Sequence, residues 1–140
     1  MTLDGNGQRV GIVVLTHGPS GPDMLAEVTR LLGATTTAGM RALDMPATEP
    51  REHLMERLQE AVRDTDQGMG VVIACDLHGS TPTNCAVELM QARHVVVLCG
   101  VNLPMVVKLA SAARPGVSAE EVGQAAVDTA VRSIRVERKP

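Results

Sequence analysis

The stretch VGIVVLTHG (residues 10–18) has a counterpart further along the chain, VVIACDLHG (residues 71–79). Each is a short run rich in β-branched residues that ends in a reactive polar side chain, and each closes on a glycine. Continuous apolar runs of this kind are typical of buried parallel strands. The carboxyl ends of parallel strands lie at one edge of an open α/β sheet, which is where ligands bind. We therefore expect His17 and Asp76 to meet at that edge.

Composition indicates one folded domain spanning residues 1–140. Hydrophobic residues make up 44% of the chain, the formal net charge is −3, and Phe, Tyr and Trp are absent. Without aromatic platforms or a basic balance, nucleic-acid binding is disfavoured. No run approaches the roughly 20 apolar residues of a membrane span, so we expect no direct membrane insertion. Three cysteines and a polar beginning favour reduced thiols and a cytoplasmic location.

The apolar periodicity alternates between strand and helix, which predicts an α/β fold with a doubly wound, flavodoxin-like sheet. Four parallel strands in the order 2-1-3-4 would make the first and third strands neighbours at the switch point. Ser20 and Ser118 are predicted to cap the first and last helices. The alternating end of the chain, residues 133–138, predicts a fifth strand at a sheet edge. The other predicted strands cover about residues 40–43 and 94–98. The other predicted helices follow residue 50, begin at residue 82, and run from residue 104 to about residue 113.

A histidine oriented by a carboxylate can serve three kinds of site. It can activate a serine or cysteine nucleophile, although no Gly-x-Ser-x-Gly elbow is present. It can bind a metal, for which the Cys75-x-x-His78 spacing is suggestive, with Cys85, His17 and Cys99 as candidate further ligands, although Cys75 is predicted to point into the core. It can also attack a phosphoryl group directly. A phosphatase with an Arg-His-Gly strand end is disfavoured because Thr16 stands in the arginine position.

The loop GSTPTN (residues 79–84) favours the phosphoryl reading. It is small, rich in hydroxyl groups and followed by a predicted helix. Exposed backbone N–H groups and the positive end of a helix dipole attract an anion at such a position. Gly18 leaves the approach to the histidine open.

These residues resemble the enzyme IIA domains of the mannose family of the bacterial sugar phosphotransferase system. The resemblance rests on Thr16-His17-Gly18, on CDLHGSTPTN (residues 75–84) and on GVNLPM (residues 100–105), in that order and spacing. It covers nearly the whole chain. For the fold, it implies that the C-terminal strand is exchanged between the subunits of a homodimer.

For function, the resemblance implies a phosphocarrier. The phosphocarrier protein HPr would donate a phosphoryl group to Nε2 of His17, and His17 would pass it to a mannose-type enzyme IIB for sugar uptake. Asp76 would hold Nδ1–H of His17, and no metal or small cofactor would be needed. The implied phosphate-binding residues are Thr16, Gly18, Gly79, Ser80 and Thr81, with His78 and Asn102 at the rim.

The loop departs from the family pattern at two positions. His78 replaces an aromatic residue, and Ser80 replaces the second glycine of the family loop. A left-handed backbone at Ser80 would cost on the order of 1 kcal/mol. A regulatory module, phosphorylated by HPr but signalling rather than transporting, is the alternative that the sequence leaves open.

Overall fold

The structure, a computed structural model, describes residues 7–140, in which strands and helices alternate. None of the helices in this range is long and apolar enough to cross a membrane. The elements are β1 (Gly11–His17), α1 (Ser20–Leu32), β2 (Met40–Met45), α2 (Arg51–Thr65), β3 (Val71–Cys75), α3 (Thr81–Leu89), β4 (Val95–Leu98), α4 (Leu103–Ala112) and α5 (Ala119–Arg132).

The four strands form one parallel sheet in the order β2-β1-β3-β4, which confirms the predicted topology. The first and third strands are neighbours, with Leu15 in register with Cys75. On its other side, β1 pairs with β2, and His17 lies opposite Met45. Both β1 and β3 therefore end at the centre of the same edge, and this places His17 beside the residue that follows Cys75.

Helices cover both faces of the sheet, and the alternation of side chains along each strand builds two cores. Ile12 and Val14 point to the core that includes α4 and α5, whereas Val13 and Leu15 point to the core that includes α2 and α3. All four side chains are essentially inaccessible. Burying a Val, Leu or Ile side chain contributes about 1.5–3 kcal/mol, so the central strands are a firm base for the residues at their ends.

The two helix-capping predictions have different outcomes: one is corrected and one is confirmed. Ser20 is the first residue of α1 rather than its cap; Pro19 occupies the cap position, and the Ser20 hydroxyl lies 3.4 Å from the carbonyl oxygen of His17. Ser118 does cap α5, because its hydroxyl accepts a hydrogen bond from the N–H of Glu121 at 3.1 Å.

The predicted C-terminal strand does not form within the single chain described. The segment after α5 has no strand assignment, and Ile134 and Val136 are 76% and 77% exposed. A strand needs a neighbouring strand whose edge supplies hydrogen-bond partners for its backbone N–H and C=O groups. Within residues 7–140, this segment pairs with no edge of its own sheet. Its exchange between two subunits stays a prediction.

Candidate functional site

His17 and Asp76 are in direct contact at the carboxyl edge of the sheet, as the sequence predicted. The Nδ1 atom of His17 lies 3.0 and 3.1 Å from the two carboxylate oxygens of Asp76. The backbone N–H of His17 also donates to Asp76 at 2.8 Å. One carboxylate thus holds both the ring and the main chain of the histidine, which gives the ring a defined orientation.

The Asp76 carboxylate is kept ionised by the hydrogen bonds that it accepts. Partial burial by itself raises its pKa. Hydrogen bonds from the backbone N–H and the ring of His17, and from the N–H of Leu77 at 2.8 Å, outweigh burial and lower the pKa below its usual value. An ionised Asp76 accepts the proton on Nδ1, so the lone pair of the neutral ring lies on Nε2.

The Nε2 side of the imidazole faces solvent. The His17 side chain is 46% exposed, whereas that of Asp76 is 22% exposed. Within residues 7–140, no hydrogen-bond partner of Nε2 is present. Gly18 has φ +60°, and a Cβ placed there would meet no atom within 4 Å. The nucleophilic nitrogen is therefore open to a second molecule.

The loop after β3 is folded tightly around the carbonyl oxygen of Leu77. That oxygen accepts from the hydroxyls of Ser80 at 2.7 Å and Thr83 at 2.6 Å, and from the N–H of Ser80 at 3.3 Å. Gly79 supplies the left-handed position of the turn, with φ +78°. Nothing in the sequence pattern predicts the role of Thr83, whose hydroxyl donates its hydrogen bond inside the turn.

Donor groups that the turn leaves free point to an anion site. Among the described residues, the N–H groups of His78, Gly79 and Thr81 donate to no protein acceptor. Thr81 is exposed and begins α3, whose first turn contains no acidic residue. Free N–H groups and the positive end of a helix dipole stabilise negative charge.

The side chain of Thr16, which the resemblance implies as a phosphate-binding residue, is turned into the protein. Its side chain is inaccessible, and its Oγ1 accepts from the N–H of Gly21 at 2.7 Å. The same hydroxyl lies 3.3 Å from the carbonyl oxygen of Gly18. Because the hydroxyl is committed to the start of α1, Thr16 holds the β1–α1 turn and does not offer a side-chain donor to phosphate.

Asn102 shapes the neighbouring loop. Its Oδ1 accepts from the N–H of Met105 at 2.9 Å and so caps α4. The loop before it is attached to the site, since the N–H of Gly100 donates to the carbonyl oxygen of Asp76 at 2.9 Å. Asn102 is thus part of the scaffold at the rim.

The Cys75-x-x-His78 spacing does not assemble a metal site. Cys75 is buried beneath α3, and burial raises the pKa of its thiol to about 12, whereas His78 is exposed. Within the described residues, no group of three His, Cys, Asp or Glu side chains is placed to hold a metal ion.

Comparison with known proteins agrees with this geometry. The family model described as "PTS system fructose IIA component" (EIIA-man) matches residues 11–127. The chain belongs to this mannose-type IIA family. It is 29% identical over 127 residues to the "PTS system mannose-specific EIIAB component" of Escherichia coli K12, covering 90% of the chain. The chain spans 39% of the length of that relative.

Other similar proteins include a regulator and several solved IIA structures. The IIA domain is 39% identical over 71 residues to the "Transcriptional regulatory protein LevR" of Bacillus subtilis. The matched region covers 50% of this chain and 7% of that protein. The mannose/sorbose-specific IIA subunit from Enterococcus faecalis superposes with a TM-score of 0.83 at 19% identity, covering 95% of this chain and 98% of the other. A "sigma-54 interaction domain protein" from the same species superposes with a TM-score of 0.71 at 22% identity, covering 89% of this chain and 95% of the other. Both structural likenesses support the fold.

The Ser80 departure carries no backbone strain in this IIA domain. Ser80 has φ −77° and occupies the cap position before α3, so the left-handed position of the turn falls only on Gly79. The free-energy cost that the sequence analysis attached to Ser80 does not arise.

One cavity of the IIA domain lies away from the site. Its volume is about 280 Å³, and it lies at the amino ends of β1 and β2, where Arg9, Thr35 and Gln67 are among its lining residues. The His17 site is an open surface, which suits a reaction whose second substrate is a protein.

The sequence pattern did not reveal the residues that hold the β2 side of the site in place. The carbonyl oxygen of Met45 accepts from the N–H of Gly18 at 3.1 Å, and Arg57 of α2 binds both Asp44 and Glu49 next to it. The only sequence signal for this cluster is the Glu49–His53 spacing of four residues at the start of a helix.

Proposed function

We propose that this IIA domain is a phosphocarrier in which Nε2 of His17 accepts a phosphoryl group from phospho-HPr and passes it to a mannose-type enzyme IIB. The observation that carries the proposal is the ring geometry: Nδ1 is held by Asp76 while Nε2 is open. This places the lone pair on the nitrogen that a second protein can reach. Asp76 is the residue that orients the phosphoacceptor.

In the proposed step, the lone pair of His17 Nε2 attacks phosphorus in line with the departing nitrogen of the donor. The new N–P bond forms as the donor N–P bond breaks, and the donor histidine leaves with the electron pair. The phosphorylated ring keeps its Nδ1 proton, and the Asp76 carboxylate offsets the positive charge that the ring gains. Transfer to enzyme IIB is the same step with the roles exchanged.

The charge of the phosphoryl oxygens would be met by dipoles rather than by basic side chains. Residues 17–20, 45–50, 76–81 and 99–104, which form the loops at this edge, include no lysine or arginine. The free N–H groups of residues 78, 79 and 81, the Thr81 hydroxyl and the start of α3 supply fixed donors. Preorganised donors of this kind stabilise developing negative charge without reorganisation, so no metal or cofactor is required.

A regulatory role is the second candidate. The similarity to LevR, named as a transcriptional regulatory protein, favours it. In that case the same phosphorylation of His17 by HPr would change an interaction with a regulatory partner, and enzyme IIB would not be the acceptor. The chemistry at His17 is shared by both roles, so only the acceptor separates them.

Intact-mass spectrometry at neutral to alkaline pH tests the proposal. The protein is incubated with phosphoenolpyruvate, enzyme I and HPr, beside the His17→Ala and His78→Ala variants. One added phosphoryl group that is lost only in His17→Ala supports the carrier role, since His78 is an exposed histidine of the same edge and serves as the matched control. No phosphorylation by a cognate HPr contradicts the proposal.

A second step of the same experiment separates the two roles. The phosphorylated protein is isolated and mixed with candidate enzyme IIB domains. Transfer of the label to an enzyme IIB supports transport. Retention of the label with all of them, together with a phosphorylation-dependent change in binding to a regulator, supports signalling.

A further inference from the structure

Arg57, which takes no part in the phosphoryl chemistry, joins the end of β2 to the loop that follows it (the β2–α2 loop, residues 46–50). One guanidinium nitrogen donates to the backbone carbonyl of Asp44 at 2.9 Å and to both carboxylate oxygens of Glu49 at 2.7 and 2.9 Å. The other lies 3.3 Å from the Asp44 carboxylate. A single side chain of α2 thus fixes both the last residues of the strand and the loop.

The Glu49 carboxylate is enclosed in this cluster. Its side chain is 5% exposed, and Nδ1 of His53 lies 2.8 Å from its second oxygen. A carboxylate withdrawn from water is tolerated only when it is paired and hydrogen-bonded. The three contacts from Arg57 and His53 satisfy it, so this cluster is a defined part of the fold and differs from an exposed ion pair such as Arg51–Glu88, whose side chains are 47% and 55% exposed.

The cluster connects to the phosphoacceptor through two backbone links. Asp44 and Met45 are the register partners of Thr16 and His17 in the sheet. The carbonyl oxygen of Met45, the residue after Asp44, also accepts the N–H of Gly18 at 3.1 Å. Whatever holds Asp44 and Met45 in place therefore also holds the main chain on both sides of His17.

We propose that Arg57 is a positioning residue for the phosphoryl-transfer site, acting through Met45 and Gly18 on the placement of His17. The role rests on the proposed phosphocarrier function. Asp76 sets the ring orientation from the β3 side, and Arg57 holds the turn after His17 from the β2 side. A misplacement of the reacting group by about 1 Å can lower the rate about 100-fold. A side chain that does not touch the reacting nitrogen but holds the adjacent main chain therefore has a measurable effect on the rate.

The test compares three variants at the cluster with one control. Arg57→Met removes the clamp but leaves Glu49 buried without its main partner, which endangers folding. The double variant Arg57→Met/Glu49→Gln removes both charges and keeps the test valid if the single variant does not fold. Arg57→Lys keeps the charge but not the forked geometry. Arg51→Met is the matched control, because it removes an exposed ion pair between an arginine of the same helix and Glu88 of α3.

Two readouts separate positioning from general stability. The first is hydrogen exchange of the Gly18 amide by NMR, compared with the amide of Val14 in the middle of β1. The second is the rate of phosphoryl uptake, measured over a range of phospho-HPr concentrations. This gives the rate at saturation and the half-saturating concentration of phospho-HPr. In the double variant we expect at least about tenfold faster exchange at Gly18 with Val14 unchanged. We also expect the saturating rate to fall by about 10–100-fold at an unchanged half-saturating concentration.

Arg57→Lys should recover part of both losses, and Arg51→Met should behave as the wild type. Unchanged exchange at Gly18, equal acceleration at Gly18 and Val14, or an unchanged saturating rate would each overturn the positioning role. If the wild-type protein accepts no phosphoryl group, the phosphocarrier proposal fails, and with it the role of Arg57 in transfer. The exchange at Gly18 then still shows whether Arg57 holds the turn.

Discussion

The hydroxyl of Thr16 accepts a hydrogen bond from the backbone N–H of Gly21 at 2.7 Å, entirely out of contact with solvent. This bond fastens the first turn of α1 to the end of β1. The approach is so close that a Cβ on residue 21 would lie 2.8 Å from the Thr16 hydroxyl oxygen. The glycine and the threonine together determine where the helix begins relative to His17.

Replacing Thr16 by valine should destabilise the protein. The isosteric change leaves the N–H of Gly21 buried and unpaired, and such a group costs about 1–3 kcal/mol. Denaturant unfolding measures the loss. Thr16→Ser, which keeps the hydroxyl, is the control and should lose less; a Thr16→Val variant as stable as the wild type would show that the hydrogen bond does not matter.

Asp76→Asn should slow phosphoryl uptake by His17 by about 10–100-fold, the usual effect of removing the partner that orients a reacting imidazole. The amide no longer favours the ring tautomer that has its lone pair on Nε2. Initial rates with phospho-HPr measure the effect. Asp64→Asn removes an exposed carboxylate paired with Arg41 and should leave the rate unchanged. A normal rate in Asp76→Asn would remove Asp76 from the mechanism.

The contribution of Asp76 to stability should depend on pH in the acid range. Because the pKa of Asp76 is lowered in the folded state, its stabilisation is present above the unfolded value of about 3.9 and is lost as pH falls through the folded value. The difference in free energy of unfolding between wild type and Asp76→Asn should therefore shrink from pH 7 to pH 3. A difference that stays constant over this range would contradict the assignment.

The cysteines should differ sharply in reactivity. Cys75 and Cys85 are inaccessible, and burial raises the pKa of both thiols, to about 12 for Cys75. Thiolate is the reactive form, so neither should react with iodoacetamide at pH 8 in the native protein. Cys99 is half-buried and should be modified first. Peptide mass spectrometry identifies the sites, and early labelling of Cys75 would indicate that the core opens.

We expect the full chain to form a dimer and the chain without residues 133–140 to be a monomer. The two large apolar side chains of this segment, Ile134 and Val136, are exposed in the single chain, although the alternating sequence is that of a strand. Pairing with a second subunit would cover them. Light scattering of the full chain and of the chain ending at Arg132 measures the change, and an unchanged dimer would rule out strand exchange as its basis.

The arrangement of the sheet could be predicted from sequence because it depends on local patterns. Apolar runs of strand length and helices between them favour a parallel sheet, and the polar residues that end two runs must then share an edge. Local patterns do not decide the surroundings of Thr16. The family resemblance implies phosphate binding by Thr16, yet alternation along β1 turns its side chain into the protein. The backbone conformation of Ser80 is likewise not set by a local pattern. It depends on how the turn closes around the carbonyl oxygen of Leu77.

By itself, the sequence determined the parallel α/β sheet, the meeting of His17 and Asp76 at its centre, and the family to which the chain belongs. These follow from periodicity and from short motifs whose residues are close in the chain. Only the tertiary structure decided that Thr16 is buried, that Ser80 is unstrained, and that Arg57 joins Asp44 to Glu49 behind the phosphoacceptor. Such contacts depend on where side chains of separate elements meet, and their distances are set by packing that no local pattern encodes.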